Sequence, residues 1–326
     1  MSKATPLKNG SQPIINSDYQ TLDLTGFVRL FGTTVADLSP ECGDLINQAD
    51  FRYNIVSGDA RDRIMLEILK RVDAGQFTQA GKEGKARWEA GWGENYKNFV
   101  EHNYDLSQLF PKYIHAGKPL RLYQDYIQSV DPLFELSWYK VFQLWLFQTY
   151  LKDVEHIYEF GCGPGHNLVT LAQLYPDKNI TGLDWAQASV DIANKLGSVY
   201  GWKVKGKSFD FFAPDKSFKI QENSAVITIG GLEQTGQNFG AFIRYLMEKR
   251  PKLVIHVEPL LEWYDESNLV DYLAIRFHKY RKYLEGLVPW LEEAASRSHV
   301  NILKRNRCYF GSLYHDGYSL LIWQPT

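Results

Sequence analysis

A chain of 326 residues with 44% apolar and 23% charged side chains has the length and composition for a large folded core, which excludes a disordered or collagen-like class. Its net charge of −2 gives no general attraction to nucleic acid or an anionic membrane surface. Only three cysteines, Cys42, Cys162 and Cys308, lie far apart in the chain, which excludes a disulfide scaffold and fits a reducing compartment.

Residues 1–20 read as a flexible, polar lead without the apolar core of a signal peptide. Residues 21–152 read as a mainly helical cap. Ala60 to Val72 carries Ile64, Leu66, Ile68 and Leu69 among charges, with Gly75 as a stop. Trp88, Trp92 and Tyr96 recur every four residues, as on one helix face, although Gly91 and Gly93 interrupt it. Ser107 to Ile114 and Leu120 to Val130 read as short helices separated by Gly117-Lys118-Pro119. Arg121, Tyr123 and Tyr126, with Lys118, combine positive charge and aromatic rings. That mixture suits a substrate with a carboxylate or phosphate beside an apolar body, or else is core plus surface charge. Trp92 joins them as a candidate substrate contact. Phe134 to Leu151 reads as an amphipathic helix. Its apolar run from Trp138 is broken by Lys140, Gln143 and Gln148, too polar and too short to span a bilayer, so a soluble cytoplasmic protein is expected.

After Asp153 the texture changes. Short β-branched runs alternate with helical patterns, the mark of βαβ units and a parallel sheet. Strands are predicted at His156–Phe160, Asn179–Asp184, Ser224–Ile229 and Leu253–Val257, with a weaker one over Trp202–Phe209. Val300–Arg307 and Tyr318–Trp323 read as a closing antiparallel pair. The first strand runs into Glu159-Phe160-Gly161-Cys162-Gly163-Pro164-Gly165-His166. Glycines there leave the main chain bare for a ligand, and the following helix start offers N–H donors. A dinucleotide fingerprint needs Gly-x-Gly-x-x-Gly, yet the third position holds His166 and the glycine falls one early, at Gly165.

The pattern Glu-x-Gly-x-Gly-x-Gly resembles the first motif of the class I S-adenosylmethionine-dependent methyltransferases, over roughly residues 153–326. The resemblance implies a Rossmann-like sheet of seven mostly parallel strands in the order 3-2-1-4-5-7-6, with S-adenosyl-L-methionine as cofactor. It implies that Gly161, Cys162, Gly163 and Gly165 form the cofactor loop, that Glu159 orients it or meets the amino group of the methionine moiety, and that Asp184 accepts from the ribose hydroxyls. Asp184 equally reads as a cap for the next helix. Trp185 is placed to pack on adenine. Asp210, beside Phe209 and Phe211, matches the acidic residue that accepts from the adenine amino group, or is a turn aspartate between core rings. Cys162 lacks nearby basic residues and reads as a small packing residue. His166 reads equally as an exposed first-turn residue or a ligand contact.

Chemistry is expected beyond the carboxyl ends of the strands. Gly230-Gly231-Leu232-Glu233-Gln234 follows the fourth strand, with Gln234 where many small-molecule relatives carry histidine. Glu233 is a candidate base or substrate orienter, or a surface acid. His256 and Glu258 share a face of the fifth strand and are candidate catalytic residues, or a hydrogen-bonded strand histidine beside a loop acid. Ser267 to Leu284 carries Arg276, His278, Lys279, Arg281 and Lys282, a basic face for an anionic substrate or a solvated helix face. No metal-ligand spacing is visible. The expected activity is O- or N-methylation of a small molecule. The rivals are a protein- or RNA-directed methyltransferase, a non-catalytic cofactor-binding protein, and a nicotinamide-dependent oxidoreductase.

Overall fold

The computed structural model describes residues 19–110, 114 and 116–326. The lead at 1–18 and part of the predicted helix Ser107–Ile114 lie outside the described residues. The N-terminal region runs β1 (Gln20–Thr21), α1 (Leu24–Phe31), α2 (Pro40–Gln48), β2 (Arg52–Ile55), α3 (Gly58–Asp73), α4 (Lys85–Glu101), β3 (Leu120–Leu122), β4 (Asp125–Ser129) and α5 (Phe134–Tyr150). Then come β5 (His156–Phe160), α6 (His166–Leu174), β6 (Asn179–Asp184), α7 (Gln187–Tyr200), β7 (Val204–Ser208), β8 (Ser224–Ile229), α8 (Gly240–Lys249), β9 (Leu253–Val257), α9 (Leu269–Arg281), α10 (Leu287–Ser296), β10 (Val300–Asn306), β11 (Phe310–Gly311) and β12 (Leu320–Pro325).

The larger sheet has the order β10-β12-β9-β8-β5-β6-β7. Counted within this region and read from the other edge, that is 3-2-1-4-5-7-6, the order the resemblance implies. β5, β6, β7, β8 and β9 are parallel, and β12 runs antiparallel to both β9 and β10. Its central strands are buried on both faces, as a parallel sheet between helices requires. One face packs Ile157, Ile227, Ile255 and Ile322 with Trp138, Phe142 and Leu146 of α5. The other packs Val226, Val254 and Trp323 with Phe242, Leu246 and Leu291 of α8 and α10.

The cap corrects two expectations. It contains a second sheet, β1-β2-β4-β3-β11. Leu120–Val130, predicted helical, is the β3–β4 hairpin, with Leu122 opposite Asp125 and a two-residue turn at Tyr123-Gln124. Both turn residues have positive φ, 51° and 64°, as a primed turn demands. Leu106–Leu109 forms a short 3-10 turn. Because β11 comes from the chain's last fifth and pairs with β3, the two sheets are joined by more than the α5 connection. No helix among the described residues is long and apolar enough to cross a membrane.

Candidate functional site

β5 leads into the glycine loop. Gly161, Gly163 and Gly165 have φ of 76°, 49° and 74°, conformations that side-chain-bearing residues avoid. Gly161 and Cys162 donate their N–H groups to the Leu183 carbonyl (2.7 and 3.2 Å), tying the loop to the end of β6. Asp184, the last residue of β6, completes the tie. Its Oδ2 accepts from Gly163 N and its Oδ1 from Ala186 N, each at 2.9 Å. Burial pushes this carboxyl up to about 6 against the opposing pull of the Ala186, Gly163 and Trp185 N–H groups. Each carboxylate oxygen has a second lone pair, so Asp184 keeps acceptor capacity for a ligand hydroxyl.

These strand ends open into a cavity. Gly161, Gly163, Asp184 and Trp185 line one side, with Gly230, Gly231, Gln234 and Thr235 from the turn after β8. Phe209, Phe211 and Phe212 supply an aromatic flank. Trp88 and Trp92, stacked at 5.4 Å between ring centroids, close the cavity from α4. A Cβ on Gly163 would sit 3.1 Å from the Trp92 ring, and one on Gly161 would sit 3.4 Å from Phe211. At Gly230, φ 63°, a Cβ would meet nothing within 4 Å. Of these three glycines, Gly163 and Gly161 thus lie against the Trp92 and Phe211 rings, and Gly230 faces open space.

The lid helix is fastened by a contact with no sequence signature. Glu89 of α4 accepts from Gln187 N (2.6 Å) and Ala188 N (3.1 Å) at the N-terminus of α7. A carboxylate there satisfies two otherwise unpaired donors and the positive end of the helix dipole.

Other predicted site residues stand behind the cavity wall. Gly165 brings α6 against α7, since a Cβ there would lie 3.1 Å from Ile192. The Cys162 sulfur lies against Gly182, and burial lifts its thiol well above the ordinary value, so it packs the loop. Glu159 Oε1 accepts from Asn167 Nδ2 at 2.6 Å, and its buried Oε2 has no partner among the described residues. Burial, with Asp184 adding to it, pushes Glu159 up to about 8. His166 is buried at the start of α6, 4.7 Å from the Phe110 ring, and burial lowers it to about 4. Asp210 uses Oδ1 to accept from Phe212 N (2.8 Å), a turn that presents Phe211 and Phe212.

The candidate catalytic residues separate. His256 is wholly buried in the sheet, with Nδ1 2.9 Å from Thr228 Oγ1, and burial lowers it to about 3. It packs near Trp323 on the α8–α10 face, so its placement at the acceptor is corrected to a core role. Glu258 accepts from Leu232 N and Glu233 N, each at 3.0 Å, and fixes the turn that carries Gln234 and Thr235. Burial first, then Glu233, pushes Glu258 up to about 8. Glu233 itself is half-buried, accepts from Gln234 Nε2 at 2.7 Å and is pushed up to about 7, chiefly by burial.

The candidate substrate residues of the β3–β4 hairpin are likewise corrected. Arg121 is fully buried and ion-paired to Asp271 and Asp316, each at 2.8 Å. Arg307 pairs with the same two aspartates. Tyr126 is fully buried, and the Tyr123 hydroxyl donates to the Gly26 carbonyl at 3.0 Å. Arg121 thus fastens the cap to α9 and to the turn before β12, while Tyr123 ties the hairpin to α1. Only Trp92 of the four lines the cavity. Trp88, Leu183, Phe212, Gly231 and Thr235 also line it; the four-residue spacing of Trp88 and Trp92 was the sequence signal for the lid. Among the described residues no group of three or more His, Cys, Asp or Glu is placed to hold a metal ion.

No family model matches the chain. None of the curated proteins matches it either. Similar solved structures include an O-methyltransferase from neocarzinostatin biosynthesis in complex with S-adenosylmethionine and 2-hydroxy-5-methyl naphthoic acid. It is 18% identical over 60% of this chain and 59% of that one, with a TM-score of 0.39. The N,N-8-amino-8-demethyl-D-riboflavin dimethyltransferase of Streptomyces davawensis is 13% identical over 59% and 57%, with a TM-score of 0.40. The cyclase SpnF is 14% identical over 59% and 82%, with a TM-score of 0.43. The chain thus spans less than two thirds of the first two.

Proposed function

We propose that the chain is an S-adenosylmethionine-dependent methyltransferase acting on a small molecule. The observation that carries this reading is the cavity where Gly161 and Gly163, the strand-end Asp184 and the aromatic flank Phe209–Phe212 meet under Trp88 and Trp92. A nucleoside needs a carboxylate for the ribose hydroxyls and a flat apolar flank for the base. Glu159, behind the same loop, supports it through its hydrogen bond with Asn167. Gly161, Gly163, Asp184, Trp185 and Phe211 would hold the cofactor, which supplies, when bound, a methyl group on a positively charged sulfur.

The chain's own task is then alignment, exclusion of water and removal of a proton from the acceptor. Trp88 and Trp92 cover the cavity and keep water out. Gln234 and Thr235 border the space left for the acceptor. Glu233, hydrogen-bonded to Gln234 and raised to about 7, is suited to take the acceptor's proton at neutral pH. Glu258 acts as a positioning residue, because its two hydrogen bonds hold the turn on which Glu233 and Gln234 sit.

Calorimetric titration tests the reading. S-adenosylmethionine and S-adenosylhomocysteine should bind and a nicotinamide dinucleotide should not. Asp184→Asn should weaken S-adenosylhomocysteine by about tenfold or more, the worth of a charge-assisted contact. No binding of either sulfur nucleoside at millimolar concentration, or an unchanged affinity in a folded Asp184→Asn variant, would refute it.

A further inference from the structure

Two rings lie against the glycine loop, and they are not held alike. A Cβ on Gly161 would meet Phe211 Cε2 at 3.4 Å, and one on Gly163 would meet Trp92 Cζ2 at 3.1 Å and Cε2 at 3.3 Å. Contacts this close leave no layer for a ligand between ring and main chain. Phe211 belongs to the packing of the sheet: its ring meets the buried Phe242 edge-on at 4.7 Å, and the Asp210–Phe212 hydrogen bond fixes its turn. Trp92 is half-buried, projects from α4 and stacks on Trp88, which is half-buried as well. Of the two rings, Trp92 is the one free to leave.

The helix beneath Trp92 is weak at that turn. Gly91 and Gly93 flank it inside α4, and glycine is the poorest helix former after proline. Packing asks for neither glycine: a Cβ at Gly91 or Gly93 would meet nothing within 4 Å, and neither has a positive φ. The helix is fastened on both sides. Before the turn, Glu89 accepts from Gln187 N and Ala188 N. After it, the buried Asn95 donates from Nδ2 to the Gln108 carbonyl at 2.9 Å, and Phe99 is fully buried. A soft turn between two fixed points opens locally while the rest of the helix stays in place.

We propose that Trp92 is the gate of the cofactor site: in the ligand-free chain its indole occupies the seat over Gly163, and the turn Gly91-Trp92-Gly93 yields so that the ring swings out as the nucleoside enters. The nucleoside's identity rests on the methyltransferase reading; the yielding of the turn rests on α4 alone. Stacking on Trp88 holds the gate shut, and the two glycines keep the closed form from being too stable to open. Once the nucleoside lies on Gly163, the indole covers the ligand in place of the main chain.

The test joins hydrogen exchange of the ligand-free, full-length protein to stopped-flow binding of S-adenosylhomocysteine, followed by tryptophan fluorescence. The amides of residues 95–97 bond to the carbonyls of 91–93 in a regular helix. Their protection should rise about tenfold or more in the double variant Gly91→Ala, Gly93→Ala, and stay constant in Gly43→Ala, a helical glycine of α2 with equally open surroundings. In the wild type the association rate should level off at high ligand concentration, as opening becomes limiting. The double variant should lower that plateau about tenfold, and Trp92→Ala should remove it. Thermal melting reports whether each variant is folded. Unchanged protection at 95–97, a folded double variant that associates at the wild-type rate, or a Trp92→Ala variant that associates no faster than the wild type overturns the inference. If S-adenosylhomocysteine binds none of these proteins, the methyltransferase reading falls; a tenfold gain in protection then still supports a yielding turn at Trp92, and no gain removes it.

Discussion

The two walls of the cavity are made of different material. The sheet wall is bare main chain: Gly161, Gly163, Gly230 and Gly231 at the ends of β5 and β8, pinned through Asp184 and Glu258 to backbone N–H groups. The lid wall is side chain, two stacked indoles on a helix fastened to α7 through Glu89. A backbone wall is set by strand positions and tolerates little change. A side-chain wall can be altered without touching the fold. In the proposed function the first wall selects the cofactor and the second governs closure and the acceptor.

The largest test of that contrast is Gly230→Val. The side chain would project into open space bordering the cavity, at a φ of 63° that valine resists. S-adenosylhomocysteine affinity should fall about 100-fold, with a lowered melting temperature. Trp88→Ala, on the opposite wall, should leave the melting temperature within a few degrees. Equal losses of stability in the two variants would erase the distinction between the walls.

Glu89→Gln sharpens the comparison from the lid side. It removes a charge from the N-terminus of α7 and leaves one acceptor for two donors, a loss of about 1 kcal/mol. The dissociation rate of S-adenosylhomocysteine should rise about threefold to tenfold in stopped-flow fluorescence while association stays constant. An unchanged dissociation rate would mean that the lid is held by its indoles alone.

The smallest expected effect is on stability as a function of pH. Asp184 at about 6, Glu233 at about 7, and Glu159 and Glu258 at about 8 all lie above their ordinary values because burial disfavours the charged form. The folded chain then holds these protons more tightly than the unfolded chain. That stabilisation is present near pH 4 and is lost as pH rises through 6 to 8. The melting temperature of the ligand-free protein should fall by several degrees between pH 5.5 and 8.5, and Glu159→Gln should flatten the decline. A melting temperature that rises over this interval would contradict the assignment of buried, proton-holding acids to the sheet wall.

The sheet was legible because its strands are buried on both faces and read as apolar runs, and because Gly161 to Gly165 mark one strand's end unmistakably. The β3–β4 hairpin was not, because its turn is Tyr123-Gln124, residues that rarely take positive φ, in place of the usual asparagine and glycine. Arg121 looked like a substrate contact for want of any view of Asp271 and Asp316, which lie more than a hundred residues onward. His256 and Glu258 share a strand face as their spacing requires, yet Thr228 holds one in the core while the β8 turn engages the other. Glu89 meets Gln187 and Ala188 across nearly a hundred residues, and no local pattern announces such a contact.

The most direct measurement is a crystal structure of the protein grown with saturating S-adenosylhomocysteine. It should show the nucleoside against Gly161 and Gly163, its ribose hydroxyls on Asp184, its base beside Phe211, and its sulfur facing Gln234 beneath Trp88 and Trp92. A cavity still filled by the Trp92 ring, or a ligand bound elsewhere with Asp184 contacting only Gly163 and Ala186, would contradict the account.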